Sequence, residues 1–230
     1  MKRLVVLTGA GMSAESGIRT FRDSNGLWEE YDVMEVASID GWHKNPELIL
    51  RFYNERRKQM FSCEPNKGHL LLAALEKHFE VRIITQNIDN LHEKAGSSHV
   101  LHLHGELTKA RSSIDPSLVY TIGNKEIHLG EKCEKGSQLR PFIVWFGEAV
   151  PAIDEAIPLV ESADILCVIG TSLNVYPAAG LLNYASAGCP IFLIDPAPPS
   201  DLPRRVKVIA KGAGEGVATL MEAILPQKSA

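Results

Sequence analysis

His104 follows the apolar run of residues 100–103, and an imidazole takes or gives a proton near neutrality. His102 lies two residues earlier and shares its face if the run is a strand. Gln86, Asn87 and Asp89 sit together after the apolar run 81–85 and bring amides and a carboxylate to one turn, although turn formation alone also selects Asn and Asp. Gly9, Ala10 and Gly11 follow the run 4–7, with Ser13 as a candidate helix N-cap and Ser16 and Glu15 in the first turn. A strand, a glycine turn and a helix N-terminus together make an anion site, because free N–H groups point outward there. A glycine-rich β–α turn without a ligand has the same signature. Gly170, Thr171 and Ser172 form a second small-residue turn with hydroxyls, and Asp195 offers a carboxylate that can accept two vicinal hydroxyls.

The elements that must position these groups alternate. Short segments at 4–7, 81–85, 100–103, 142–146, 165–169, 191–194 and 205–209, most of them apolar, read as strands, and segments 46–61, 66–79, 153–160, 178–187 and 216–225 as helices, with Pro158 interrupting one of them. Alternation of this kind predicts an α/β fold with a Rossmann-like, doubly wound parallel sheet. Ligands bind such sheets outside the carboxyl ends of the strands, where the polar clusters fall. Residues 29–40 carry few signals, and residues 106–140 have no strong periodicity and read as an inserted small module. The expected division is a dinucleotide-binding domain of residues 1–28, 80–105 and 140–230, and a small domain of residues 29–79 and 106–139.

At GAGMSAESGIRTFR, TQNIDNLH, HG, VWFGE and GTSLNVYPAA, in that order, the sequence resembles the sirtuin family of NAD-dependent protein deacylases. The resemblance implies that NAD is consumed as a co-substrate. The acyl-lysine carbonyl oxygen attacks the nicotinamide ribose, nicotinamide leaves, and the acyl group ends on ADP-ribose. It makes His104 the general base and sets Asn87 and Asp89 around nicotinamide, with Gln86 on ribose. Phe21, Arg22 and Trp28 belong to the segment that covers the cofactor, and Gly212 and Ala213 flank the adenine. Asp195 stands where the family usually has Asn. Val144, Phe146, Gly147 and Glu148 resemble the segment that pairs with a substrate peptide as an added strand, and core packing of the same residues remains open. Tyr53 and Arg56 match the Y-x-x-R pattern of sirtuins that remove succinyl and malonyl groups; an arginine can hold a carboxylate through parallel hydrogen bonds, and a tyrosine hydroxyl can add another. A packed tyrosine beside a surface arginine would look the same. A catalytically idle ADP-ribose-binding module and a mono-ADP-ribosyl transferase use the same pocket.

Most sirtuins carry two C-x-x-C pairs for a structural zinc in the insert. Here Ser112 and Asp115 stand for the first pair, and Gly136 replaces the partner of Cys133, so a zinc-ribbon-like insert lacking its cysteines is expected to fold without zinc. His128 and Asp115 could be assembled into a weak site only on paper. A net charge of −4 over 230 residues gives no case for nucleic acid or a membrane surface. Four scattered cysteines, Cys63, Cys133, Cys167 and Cys189, and Met-Lys-Arg running straight into a strand fit a monomer in a reducing cytoplasm, with acylated proteins or peptides as partners.

Overall fold

The computed structural model describes residues 1–18, 27–28, 31–171, 173, 175–200 and 202–226. Phe21, Arg22, Ser172 and the side chain of Trp28 lie outside the described residues. The strands are β1 (Arg3–Thr8), β2 (Leu27–Trp28), β3 (Tyr31–Asp32), β4 (Glu80–Thr85), β5 (Val100–His102), β6 (Gly105–Ser112), β7 (Val119–Thr121), β8 (Leu139–Ile143), β9 (Ile165–Ile169), β10 (Ile191–Ile194) and β11 (Val206–Ile209). The α-helices are α1 (Val33–Val36), α2 (Ile39–Lys44), α3 (Pro46–Ser62), α4 (Lys67–Leu75), α5 (Leu91–Lys94), α6 (Ile153–Glu161) and α7 (Ala213–Ile224).

Six strands form a parallel sheet in the order β11-β10-β9-β1-β4-β5. This is the doubly wound arrangement, and its order reverses between β1 and β9. Burial on both faces explains the apolar run 4–7 within β1. Leu4 and Val6 enter one core with Leu72 and Leu75 of α4 and Val217 and Leu220 of α7, while Val5 and Leu7 enter the other with Ala156 and Val160 of α6. Among the described residues no helix is long and apolar enough to cross a membrane.

The helix ends follow their caps. Asn45 accepts from the Leu48 N–H at 3.1 Å, ahead of Pro46 at the start of α3. Asn66 and His69 cap α4 reciprocally. Asp32 and Ser38 cap α1 and α2 within the stretch that carries few sequence signals. The helix expected after β1 is instead two single 3-10 turns, Ala10–Met12 and Ala14–Ser16. The segment 178–187 is likewise a 3-10 helix, Ala178–Tyr184, whereas α6 runs on through Pro158.

Residues 106–140 contain strands that periodicity does not reveal. β6 pairs antiparallel with β7 and β8, so the extended run expected at 142–146 begins in a second sheet. A register shift between Glu106 and Ala110 moves the buried set from 105 and 107 to 110 and 112, which breaks the period-2 pattern. Leu107, Ala110, Ile127 and Ile143 pack with Ile49, Phe52 and Tyr53 of α3 in a third core.

The positions that correspond to zinc ligands are engaged in other ways. Ser112 Oγ accepts from the Ile114 and Asp115 N–H groups at 3.2 and 3.1 Å and meets Ser137 Oγ at 2.8 Å. Cys133 Sγ lies 3.1 Å from Ser137 Oγ, and Lys135 Nζ donates to Asp115 Oδ2 at 2.6 Å. His128 faces Glu126 at 3.7 Å. A hydroxyl, an ion-paired carboxylate, one thiol and a glycine do not fit a four-thiolate zinc site. Among the described residues no group of three or more His, Cys, Asp or Glu side chains is arranged to hold a metal. Elemental analysis of the purified protein should find no stoichiometric zinc, and a strong chelator should leave its melting temperature in place; about one zinc per chain would overturn this.

Candidate active site

The crevice lies where the loops leave β1 and β9. Gly9 N–H donates to the Ile169 carbonyl at 3.0 Å and Gly11 N–H to the Gly170 carbonyl at 2.8 Å. A Cβ on Gly11 would sit 2.7 Å from Gly170 Cα, and one on Gly170, at φ +60°, would sit 2.4 Å from the Met12 nitrogen. The glycines therefore serve the chain's own close backbone contacts. Ala10 opens the first 3-10 turn between them.

Ser13 is buried and does not cap a helix with its side chain. Its hydroxyl accepts from Asn87 Nδ2 at 3.1 Å and donates to Asp89 Oδ2 at 3.0 Å. Asp89 Oδ1 accepts from the Leu91 N–H at 3.1 Å. Burial raises the Asp89 pKa, opposed by those hydrogen bonds from Leu91 and Ser13. Thr8 and Thr85 join hydroxyls at 2.8 Å, and Thr85 Oγ1 accepts from the Asn87 N–H at 3.0 Å. Beneath this layer His92 Nε2 meets Thr8 Oγ1 at 3.2 Å, and the His92 and His69 rings pack edge to face, 4.8 Å between centroids. Burial holds His92 well below its ordinary range and brings His69 to about 4, so both are neutral. His69 carries no sequence signal beyond an apolar helical setting, and His92 closes the TQNIDNLH motif.

His102 and His104 do share a face, and both are anchored at Nδ1. His102 Nδ1 lies 3.0 Å from the Asn87 carbonyl and His104 Nδ1 lies 3.1 Å from the Gln86 carbonyl. A carbonyl only accepts, so each Nδ1 carries the proton and each Nε2 is defined by what it faces. His102 Nε2 lies 2.7 Å from Glu93 Oε1. Burial lowers the His102 pKa, but the hydrogen bond and charge of Glu93 outweigh it and the net shift is upward. Among the described residues no carboxylate offsets the burial of His104, and its pKa is lowered. Its Nε2 is thus an acceptor at neutral pH. Gln86 also reaches across the crevice, donating from Nε2 to Thr171 Oγ1 at 3.1 Å.

On the far side, Asp195 is 1% exposed and its Oδ1 accepts from the Ala197 N–H at 2.9 Å, which ties that oxygen to its own loop. Ala213 opens α7, and the Gly214 N–H donates to Glu15 Oε1 at 3.1 Å. A Cβ on Gly212 would lie 2.5 Å from that oxygen. Glu15 therefore occupies the α7 N-terminus, a favourable place for a carboxylate.

Tyr53 and Arg56 are both buried on α3. Trp145 Nε1 donates to the Tyr53 hydroxyl at 2.9 Å. Burial pushes the Tyr53 phenol up, and the charges of Arg140 and Arg56 both act on it in the opposite sense. Val144 N–H donates to the His104 carbonyl at 3.0 Å, which ties this segment to the candidate base. The segment is not an open strand edge. Phe146 donates to the Ala37 carbonyl at 2.8 Å and accepts from the Ile39 N–H at 3.0 Å. Glu148 faces inward: its oxygens accept from Arg140 Nη1 and Nη2 at 2.7 and 2.8 Å, Arg111 Nη2 at 3.0 Å and the Trp145 N–H at 2.9 Å. The Phe146 ring and Gly147 remain exposed beside it.

A glycine-linked switch point with an acceptor imidazole at its rim defines a dinucleotide-type α/β site. Residues 9–177 match the Sir2 family, and the chain belongs to that family. A Bacteroides thetaiotaomicron protein named NAD-dependent protein deacylase is 57% identical over 232 residues, 98% of this chain and 99% of that one. A Helicobacter pylori protein of the same name is 56% identical over 230 residues, all of both chains. The solved structure of a Sir2 homolog–NAD complex is 40% identical and superposes with a TM-score of 0.86, covering 96% of this chain and 90% of that one.

The two rim histidines give a direct test. In an NMR titration His104 should protonate below 6.5 and His102 above it. Glu93→Gln should bring His102 down and leave His104 in place. The reverse order in the wild-type protein would overturn the assignment.

Proposed function

We propose that this chain is an NAD-dependent protein-lysine deacylase that accepts acetyl-lysine and also succinyl- and malonyl-lysine, with release of nicotinamide and transfer of the acyl group to ADP-ribose. The observation that carries the reading is the His104 imidazole, fixed by Gln86 at Nδ1 and neutral at Nε2, on the rim of a dinucleotide-type crevice. The names of the two full-length relatives support the same activity.

Bound NAD supplies an electrophilic anomeric carbon and a leaving group. Asn87 and Asp89 supply polar contacts beside that leaving group, held by Ser13. Asp89 resists ionisation through burial, so it adds less negative charge than an exposed carboxylate. His104 Nε2 removes a proton from a ribose hydroxyl, that oxygen attacks the acyl carbon already linked to the ribose through the former carbonyl oxygen, and the lysine amine leaves as its C–N bond breaks. Gly9, Gly11, Gly170 and Thr171 shape the floor, with Gln86 toward ribose; Phe21, Arg22, Trp28 and Ser172 complete the cofactor contacts in this proposal. Phe146 and Gly147 are the exposed part of the peptide-binding segment. Four free, buried cysteines support a reducing cytoplasm.

An acidic acyl group requires a partner for its terminal carboxylate. Arg56 and the Tyr53 hydroxyl are proposed to supply it, and their joint burial on one helix face supports that role.

His104→Ala should keep the fold and NAD binding while deacylation falls at least roughly a hundredfold. Retained turnover would remove His104 from the mechanism. Tyr53→Phe and Arg56→Met, assayed on matched acetyl and succinyl peptides, should each lower the succinyl-to-acetyl rate ratio by roughly ten- to a hundredfold, as for loss of a charge-assisted contact of about 1.5–3 kcal/mol. Equal loss on both peptides would make the pair structural.

A further inference from the structure

Trp145 is held on every side. Its backbone N–H donates to Glu148 Oε2 at 2.9 Å, and its indole Nε1–H donates to the Tyr53 hydroxyl at 2.9 Å. The Arg140 guanidinium lies over its ring, 3.5 Å from the centroid, and the Trp42 ring packs beside it at 5.4 Å. Arg140 is itself buried and fixed, with bonds to both Glu148 oxygens and to the Ile143 carbonyl at 2.9 Å. The indole is therefore held in position by its N–H bond to Tyr53 and by ring contacts to Arg140 and Trp42.

That position matters because an indole N–H only donates. A phenol can donate one hydrogen bond and accept others. With Trp145 donating to its oxygen, the Tyr53 hydroxyl accepts in that direction, and its own proton must point elsewhere as a donor. A donor hydroxyl is what the carboxylate of an acidic acyl group needs and what an acetyl methyl cannot use. The charge balance points the same way. Arg111 and Arg140 set two guanidinium groups against the single Glu148 carboxylate, and Arg140 and Arg56 both act electrostatically on Tyr53.

We propose that Trp145 is a positioning residue for acidic acyl groups: its indole N–H orients the Tyr53 hydroxyl as a donor, and the Arg140–Glu148 pair holds the indole in register. The proposal deepens the succinyl and malonyl reading and rests on it. Trp145 acts through Tyr53 and need not touch the substrate.

The test is a double-mutant cycle on the full chain with Trp145→Phe, Tyr53→Phe and both together, reading kcat/KM on matched succinyl and acetyl peptides. Phenylalanine keeps an aromatic face for Arg140 and removes the N–H donor together with part of the ring's volume, and the double-mutant cycle separates the lost donor from that lost volume. Trp145→Phe should lower the succinyl-to-acetyl ratio roughly three- to tenfold, the range for one neutral hydrogen bond. In the Tyr53→Phe background the same substitution should lower that ratio no further. Independent, multiplying losses would show that Trp145 does not work through Tyr53 and would overturn the proposal. If Tyr53→Phe lowers the ratio and Trp145→Phe does not, the acidic-acyl reading stands and the positioning role falls. If the wild-type protein does not desuccinylate, the acyl reading fails and takes this proposal with it. Should Trp145→Phe fail to fold, the indole ¹⁵N–¹H resonance of the wild-type chain decides. With ADP-ribose present to prevent turnover, that signal should move on adding succinyl peptide and stay in place with acetyl peptide; equal movement, or none with either, overturns the role.

Discussion

Gly11 gives its N–H to the Gly170 carbonyl at 2.8 Å, and a Cβ on either glycine would overlap the other's backbone. This contact joins the loops of β1 and β9 at the point where the sheet order reverses. Once they are joined, Thr171 comes within 3.1 Å of Gln86 Nε2. Gln86 belongs to the loop after β4, and its carbonyl holds His104 after β5. The orientation of the candidate base thus traces back through neighbouring strands to a backbone contact that tolerates no side chain. Four strands contribute to it, which is why it can be set rigidly by a sheet whose own residues are apolar.

Much of this is legible in the residues, and the exceptions have physical causes. β9 and β10 are uninterrupted apolar runs buried on both faces, and β1 holds one at residues 4–7, so composition marks them directly; β4 is read from Val81, Ile83 and Ile84 despite Arg82. β6 is hidden because its bulge changes which residues face inward midway along the strand. α1 and α2 span only four and six residues and announce themselves through Asp32 and Ser38, not through periodicity. Ser13 has the residue type and place of a cap, yet its hydroxyl is claimed by Asn87 and Asp89, which approach from another strand. Glu15 at the α7 N-terminus joins residues 199 positions apart, a separation no local pattern encodes. The donors that hold the Glu148 carboxylate and Asp195 Oδ1, guanidinium groups and an N–H, are ones that only the fold assembles.

The insert is held by hydrogen bonds, an ion pair and apolar packing. Ser112 gathers two backbone N–H groups, and Asp115 meets Lys135 across 20 residues of chain. That ion pair lies toward the surface and contributes little; exposed pairs are typically worth about 0–1 kcal/mol. The third core contributes more, because each fully buried Leu, Ile or Phe side chain stabilises by about 1.5–3 kcal/mol. Leu107, Ile127 and Ile143 reach α3 from the insert side, so the small sheet is anchored by a helix and not only by its own turns.

His102 and His104 complete the logic of the rim. They share a strand end, a face and the same Nδ1-to-carbonyl bond, so local geometry does not distinguish them. The difference lies wholly at Nε2. Glu93 at His102 Nε2 raises that pKa, and with no comparable carboxylate among the described residues burial lowers the His104 pKa. The first imidazole is thereby tied at both nitrogens, to Asn87 and Glu93, and the second is anchored at Nδ1 by Gln86. Opposed pKa shifts in chemically identical neighbours assign their roles more sharply than either shift alone. The same principle governs Tyr53, whose partner Trp145 can only donate, so that the neighbour's chemistry decides which way the phenol's proton can be offered.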